Sequence, residues 1–309
     1  MVKIGETKME NNYHVPVLLK ECIEGLNIKP SGVYVDVTFG GGGHSREILK
    51  NLGKDGVLIA FDQDPDAQRN KIDDPRFIFV DQNFGFLKNN LRLLGYKQVD
   101  GILADLGVSS HQFNEPSRGF SIRFDADLDM RMDKQRPLTA AVVLNTYAED
   151  KLHKIFGIYG EVKNAKSLAK TIVTARINQP ILTLADFKSV IAAHIPKGKE
   201  NKYMAQVFQA LRIEVNAEID VLESFLEQSA AVLNTGGRLV VMSYHSLEDR
   251  PVKNFIAKGK FRGEVEKDFF GNEEKPFKTI TRKAVIADEE ELAVNSRARS
   301  AKLRIGEKI

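Results

Sequence analysis

Four consecutive glycines at residues 40–43 separate a short apolar run from a segment that begins with His44. Glycine has no Cβ and adopts positive φ angles readily, so the chain can turn sharply here and leave its main-chain N–H groups open to a ligand. If a helix begins at these glycines, those N–H groups point out of its N-terminus. The pattern indicates a loop that binds a nucleotide-type cofactor.

The residues around this glycine loop narrow the choice of cofactor. A dinucleotide fingerprint requires a sixth-position glycine, where this chain has Ser45, and a P-loop requires a Gly-Lys-Ser/Thr sequence that the segment lacks. Asp62 closes the next apolar run, and a carboxylate there can accept hydrogen bonds from both ribose hydroxyls, each worth about 1.5–3 kcal/mol when buried. An adenosine ligand without a dinucleotide loop favours S-adenosylmethionine.

Asp105 ends another apolar run and opens the sequence DLGVSS. Exocyclic amines of nucleobases are poor nucleophiles because their lone pair is delocalised into the ring. A hydrogen-bond acceptor on the amine N–H restores nucleophilicity, and Asp105 could provide one. The alternative is a structural carboxylate that holds the cofactor or a nearby helix N-terminus.

A second polar cluster, residues 243–250, follows the last predicted strand and contains His245. His245 could act as a catalytic residue or orient a base, and Tyr244 could stack on one. A loop histidine serves equally well as a structural hydrogen-bonding group. Farther back, Phe120 and Phe124 alternate with arginines, so these aromatic side chains either contact a flipped nucleotide or pack an inserted segment against the sheet.

The sequence predicts no metal site. Methyl transfer from a sulfonium requires no metal, because the sulfonium is already a good leaving group. The aspartates at 125–133 do not fit an EF-hand, since the required glycine and glutamate positions hold Met130 and Arg136. Cys22 is the only cysteine, which excludes a cysteine-based zinc site and an internal disulfide.

Alternating apolar runs and helical segments between residues 32 and 106 predict parallel βαβ units, that is, an α/β fold. In such sheets ligands lie beyond the carboxyl ends of the strands. Gly40, Asp62 and Asp105 all fall at predicted strand ends, so we expect them to face one crevice.

The alternation stops after Asp105. Helical patterns dominate up to about residue 203, among them a capping-box start at Thr183 with Asp186. Apolar residues from Phe208 to Leu233 then recur at steps of three and four, which predicts one long helix before the sheet resumes at Arg238. We therefore predict a cofactor-binding domain of residues 1–112 and 204–309 and an inserted helical substrate-recognition domain of residues 113–203.

The bulk composition is that of a globular protein, with 42% hydrophobic and 28% charged residues. The net charge of +3 is too small to argue for nucleic acid, although basic residues cluster near 253–262, 278–283 and 297–304. The sequence lacks a signal peptide and any apolar run long enough for a membrane span. We expect a soluble cytoplasmic protein that contacts no membrane.

Eight segments together closely resemble the bacterial RsmH (MraW) family. They are residues 14–19 (HVPVLL), 38–45 (TFGGGGHS), 105–110 (DLGVSS), 118–121 (RGFS), 128–133 (LDMRMD), 208–213 (FQALRI), 243–250 (SYHSLEDR) and 297–304 (RARSAKLR). The resemblance implies a Rossmann-like class I fold and S-adenosylmethionine-dependent N4-methylation of a 16S rRNA cytidine in the decoding centre of the small ribosomal subunit.

The same resemblance implies which residues contact the cofactor. They are Gly42, Gly43, His44, Asp62, Phe84, Asp105 and Gln112. Asp62 and Phe84 would bracket the adenosine. The resemblance does not identify the catalytic base, so Asp105 and His245 both remain candidates, and it leaves open whether the protein forms a homodimer.

Two other functions fit parts of the sequence. A DNA amino-methyltransferase would use the same chemistry on another substrate. A cofactor-binding ribosome-assembly factor would need the fold but only secondary catalysis. A nicotinamide dehydrogenase is disfavoured by Ser45.

Overall fold

The computed structural model describes residues 16–267, 269–271 and 273–309. The strands are β1 (Val33–Asp36), β2 (Val57–Phe61), β3 (Phe77–Val80), β4 (Val99–Asp105), β5 (Leu233–Ser243), β6 (Glu266–Lys267), β7 (Glu273–Glu274), β8 (Phe277–Thr279) and β9 (Lys302–Lys308). The helices are α1 (Leu19–Leu26), α2 (Gly43–Asn51), α3 (Leu87–Leu93), α4 (Ser110–Asn114), α5 (Ala140–Thr146), α6 (Glu149–Ile158), α7 (Ala165–Ala175), α8 (Leu184–Ile191), α9 (Glu200–Asn216), α10 (Glu218–Val232), α11 (Ser246–Lys258) and α12 (Glu289–Val294). Residues 14 and 15 of the first family segment, and residues 1–15 of the first predicted domain segment, lie outside the described residues.

Seven strands form one sheet in the order β3-β2-β1-β4-β5-β9-β8. The first five strands run parallel, whereas β9 is antiparallel to both of its neighbours. The strand order reverses between β1 and β4, and this is the point at which open α/β sheets bind ligands. The predicted Rossmann-like α/β fold is confirmed.

The strands of the sheet centre form because they are nearly continuous apolar runs, as expected when both sheet faces are covered. On one face Ile59, Ile102 and Val241 pack against α10, α3 and α11. On the other face Leu58 and Leu103 pack against α1 and α2. The loops at the carboxyl edge of the sheet are polar, and they carry the predicted site residues.

Helices α5 to α9 surround a separate hydrophobic core. Its members include Phe156, Leu168, Phe187 and Phe208, all buried. The predicted start of α8 is confirmed, because Thr183 and Asp186 form a reciprocal capping box. This helical unit lies between β4 and β5 in the chain, as an insertion.

The long helix predicted over residues 208–233 is wrong: the segment forms two helices, α9 and α10, separated at Ala217. Ala217 has a φ angle of 52°, in the left-handed region, and this ends α9 before α10 begins at Glu218. The apolar face of α9 packs into the inserted core, and that of α10 packs against the sheet. The boundary predicted after residue 203 therefore falls inside α9, a helix of the inserted unit.

Candidate active site

The glycine loop joins β1 to α2 at the carboxyl edge of the sheet. Gly42 has a φ angle of +74°, and a Cβ atom on Gly43 would lie 2.3 Å from Pro16 Cγ, so both positions require glycine. Helix α2 begins at Gly43, within the glycine loop, and its N-terminal N–H groups face the loop. The Ser45 hydroxyl donates to buried Asp36 at 2.7 Å and fixes the helix to β1.

Asp62 lies at the end of β2, against the glycine loop. Its Oδ2 accepts from the Gly40 N–H at 2.8 Å, and its Oδ1 accepts from the Asp64 N–H at 2.8 Å. Each carboxylate oxygen keeps a second lone pair, so both can still accept from ribose hydroxyls. Burial raises the pKa of Asp62 to about 6, although the two hydrogen bonds oppose that shift.

Asp105 ends β4 and is held by residues from two neighbouring segments. Its N–H donates to Thr38 Oγ1 at 2.7 Å, and its Oδ1 accepts from the Tyr244 hydroxyl at 2.7 Å. Burial raises the pKa of Asp105 to about 6, against the opposing effects of His44 and Tyr244. Burial also raises the pKa of Tyr244, so its hydroxyl stays protonated and donates to Asp105.

His44 lies behind Asp105 with its ring buried. The ring Nε2 is 3.1 Å from the Val17 carbonyl oxygen, which can only accept, so Nε2 carries a proton. The other ring nitrogen, Nδ1, lies 3.9 Å from Asp105 Oδ2. Nδ1 of His44 therefore faces the side of Asp105 that Tyr244 does not occupy.

An open cleft with about 450 Å³ of free space runs along the carboxyl edge of the sheet. Phe84 lies on its wall, where its ring packs edge-on against Phe225 at 5.3 Å between centroids. Thr38, Gln63, Gly107, Met132 and Asn216 also line it. The cleft thus combines an apolar slot near Phe84 with polar groups near β1 and β4.

Gln112 is buried, and its side chain is already engaged. Its Nε2 donates to Asp64 at 2.6 Å, and its Oε1 accepts from the Ser109 N–H at 3.0 Å in a capping box. These bonds tie α4 to the segment after Asp62. The cofactor contact predicted for Gln112 stays a prediction.

His245 belongs to a charged cluster on the cleft wall. Its Nε2 lies 3.1 Å from Glu248 Oε1 and 3.2 Å from Arg212 Nη2, and its Nδ1 is buried with no hydrogen-bond partner among the described residues. Arg212 also donates through Nε and Nη2 to Glu218, both at 2.8 Å. Burial acts to raise the pKa of Glu248, but His245 and Arg212 outweigh it and hold that pKa below its usual value.

Glu218, His245 and Glu248 present ligand-type atoms within 4.8 Å of one another, as a metal site would. The Arg212 guanidinium, however, already supplies positive charge between the two carboxylates. The negative charge of Glu218 and Glu248 is therefore balanced by the Arg212 guanidinium. Sequence reasoning missed Arg212 and Glu218, although Arg212 lies within the family segment at 208–213.

The interleaved aromatic and arginine residues separate into two groups. Arg118 is buried, donates to both oxygens of Asp64 at 3.0 and 2.7 Å, and contacts Asp66 at 3.1 Å. Phe120 belongs to the inserted core. Phe120 therefore packs in the core of the inserted segment, and Arg118 is held in a buried ion pair, as the packing interpretation predicts. Phe124, in contrast, is exposed.

A Rossmann-like sheet with an antiparallel last pair, a glycine loop and a carboxylate after β4 defines an S-adenosylmethionine-dependent methyltransferase. The chain belongs to the MraW methylase family, whose model matches residues 11–309. It is 59% identical to "Ribosomal RNA small subunit methyltransferase H" of Cytophaga hutchinsonii, over 96% of this chain and 99% of that protein. Proteins of the same name from Flavobacterium johnsoniae and Bacteroides thetaiotaomicron are 58% and 55% identical, over 98% and 97% of this chain and 99% of each relative.

The described part of the chain contains no helix that is both long enough and apolar enough to cross a bilayer.

Proposed function

We propose that this protein transfers a methyl group from S-adenosylmethionine to the exocyclic N4 of a 16S rRNA cytidine in the decoding centre of the small ribosomal subunit. Membership of the MraW methylase family and the shared name of its relatives support the substrate class. The observation that carries the chemistry is the position of Asp105 at the switch point of the sheet, where its backbone N–H donates to Thr38 and its carboxylate accepts from Tyr244.

The cofactor contacts proposed for this site follow the edge of the sheet. The glycine loop and the α2 N-terminus, including Gly42, Gly43 and the His44 N–H, would face the amino-acid part of the cofactor. Asp62 would accept from the ribose hydroxyls, and Phe84 would pack against the adenine. When bound, S-adenosylmethionine supplies the electrophilic methyl group on its sulfonium.

Most of the rate enhancement would come from alignment of the N4 nitrogen with the methyl carbon and sulfur, which can contribute about 7–11 kcal/mol. Asp105 would accept a hydrogen bond from the N4 amine and return electron density to nitrogen. Tyr244 already donates to Oδ1, so Oδ2 is the oxygen that would accept.

The proton balance of the transfer involves Asp105. As the new C–N bond forms and the C–S bond breaks, the N4 amine becomes acidic and loses one proton. Asp105, with its pKa raised by burial to about 6, is ionised at neutral pH and can take that proton. His44 Nδ1, 3.9 Å from Oδ2, can stabilise the protonated carboxyl or accept the proton in turn.

The remaining assignments complete the proposal. The inserted helical unit recognises the RNA substrate, the protein acts in the cytoplasm where ribosomal subunits assemble, and His245 positions the substrate base rather than acting as the proton acceptor. No resident metal takes part. A homodimer is a further proposal, which light scattering at micromolar concentration tests.

The decisive experiment incubates the protein with labelled S-adenosylmethionine and small subunits from cells that lack it. Mass spectrometry of the rRNA nucleosides should then show N4-methylcytidine at one position. Duplex DNA serves as the contrasting substrate, and label transfer to DNA but not to subunits would contradict the proposal. Treatment of the subunit reaction with a chelator should leave the rate unchanged once subunit integrity is verified.

A further inference from the structure

Two arginines from separate parts of the chain belong to segments near the carboxyl ends of β4 and β5. Arg297 lies in the 3-10 turn Ser296–Ser300 that leads into β9. Because Lys302 pairs with Ser243, this turn lies at the carboxyl end of β5, next to Tyr244. Arg123 comes from the inserted unit, and its guanidinium lies 5.5 Å from the ring centroid of Phe113.

The two guanidinium groups lie close enough to affect each other. Desolvation lowers the pKa of Arg297, and Arg123 adds to this, whereas the carboxylate of Asp105 opposes it. Arg297 is therefore within electrostatic range of the proposed proton acceptor and of a second positive charge. Such an arrangement is unfavourable in isolation and favourable when an anion lies between the charges.

Neither guanidinium is neutralised within the part of the chain that the structure describes. Among the described residues, no aspartate or glutamate lies within ion-pair distance of Arg123 or Arg297, although many other arginines, such as Arg118, Arg212 and Arg304, have one. Arg297 is exposed, and the exposed Phe124 ring directly follows Arg123 in the chain. The mouth thus offers two free cations beside an aromatic surface, the combination that binds single-stranded RNA.

We infer that Arg123 and Arg297 bind a backbone phosphodiester of the RNA strand next to the methyl-accepting cytidine. This inference rests on the proposed function and assigns a phosphate-binding role to both arginines. Arginine suits this role because its planar donor fork matches phosphate oxygens. Binding from two sides, one arginine on the inserted unit and one on the sheet, would fix the strand relative to Asp105.

The test compares Arg123→Gln and Arg297→Gln with the matched control Arg299→Gln, which removes an exposed arginine from the same 3-10 turn. Each of the first two variants should raise KM for small subunits about tenfold or more, as expected for a lost charge-assisted hydrogen bond. Each should also reduce the slope of log affinity against log salt by about one. Arg297→Lys should recover part of the loss, and Arg299→Gln should behave like the wild type.

A second measurement separates the phosphate from the other anion of the reaction, the cofactor carboxylate. Calorimetry should give the wild-type affinity for S-adenosylmethionine in both variants. A loss of cofactor affinity with unchanged salt dependence would overturn the inference, as would wild-type KM values in both variants. Wild-type methylation of subunits is the internal control: if it is absent, the proposed function fails, and if it is present while the variants are normal, only this inference fails.

Discussion

Asp36, Asp62 and Asp105 lie together at the carboxyl edge of the sheet, and each has a pKa raised above its ordinary value, mainly by burial. Their negative charges also act on one another, since Asp36 adds to the upward shift of both others. Carboxylates in such surroundings cost folding free energy. Their presence in one cleft is typical of a functional site.

Replacement of Asp105 by asparagine tests its role as proton acceptor. Asp105→Asn keeps the shape of the side chain but removes the charge, so we expect turnover to fall by about 10²–10⁴-fold. Cofactor affinity should be retained, because the glycine loop and Asp62 are unchanged. Single-turnover rates with saturating subunits, together with calorimetry for the cofactor, measure both quantities, and lost cofactor binding would support a purely structural role.

Asp62 should control cofactor affinity in a pH-dependent way. Its raised pKa of about 6 means that the free protein holds Asp62 ionised above that pH and neutral below it. Only the ionised form accepts from both ribose hydroxyls, so affinity should fall as the pH decreases through about 6. Asp62→Ala should weaken binding at neutral pH by at least tenfold and lose most of this dependence.

Titration calorimetry at several pH values measures this effect, and Asp105→Asn is the control that leaves Asp62 intact. A wild-type affinity for Asp62→Ala would show that the carboxylate does not hold the ribose.

Among the secondary-structure elements, the junction of α9 and α10 has a particular conformational cost. Ala217 has a positive φ angle of 52°, which costs a non-glycine residue about 1–2 kcal/mol. Ala217→Gly should therefore stabilise the protein by up to about 1 kcal/mol, since greater freedom of glycine in the unfolded chain offsets part of the gain.

Ala230→Gly, within α10, is the matched control and should destabilise by about 0.5–1 kcal/mol. Urea unfolding of both variants measures the difference. Equal destabilisation by both substitutions would contradict the strained geometry at Ala217.

The loop that carries Arg118 is anchored by a buried ion pair. Arg118 donates to Asp64 and to the carbonyl oxygens of Arg131 and Met132, at 3.0 and 3.1 Å, so it ties the inserted segment to the end of β2. Arg118→Gln leaves Asp64 buried without its cation, and such a break costs about 3–5 kcal/mol.

Denaturant unfolding should show this loss for Arg118→Gln, whereas Arg123→Gln, at an arginine with no ion-pair partner among the described residues, should stay within about 0.5 kcal/mol of the wild type. Similar stability of the two variants would mean that the Arg118 pair contributes little.

In the whole molecule, the cleft lies between two hydrophobic cores. Asn216, at the end of α9, donates to the Met130 carbonyl oxygen at 2.8 Å and accepts from the Met132 N–H at 2.8 Å. Met132 and Asn216 line the same cleft as Thr38 and Phe84. A ligand in the cleft therefore contacts both the sheet edge and the inserted unit.

Cofactor binding should accordingly stabilise the folded protein. At a free cofactor concentration of 100 times Kd, the free energy of unfolding should rise by about 2.7 kcal/mol. Urea titrations with and without S-adenosylmethionine measure this shift, and Asp62→Ala at the same cofactor concentration should show a smaller one. If both proteins shifted equally, Asp62 would not belong to the binding site.

The local features of the site follow from the sequence. Strands β1 to β4 are short apolar runs, and their side chains need only a buried environment to favour extended backbone. The glycine loop comes shortly after β1, Asp62 follows β2 and Asp105 is the last residue of β4, so the parallel arrangement alone brings them to one edge. The positions of these residues depend only on residues close in the sequence and on the rule that parallel strands end at the same edge of the sheet.

Only the tertiary structure decided the remaining features. The apolar period continues through Ala217, so nothing local marks the break at which α9 leaves one core and α10 enters another. The ion pair of Arg212 with Glu248, and the contact of Asn216 with Met130 and Met132, join segments far apart in the chain. Such contacts form because the inserted unit packs next to the sheet edge. Residue types and their spacing in the sequence do not predict how that unit is placed.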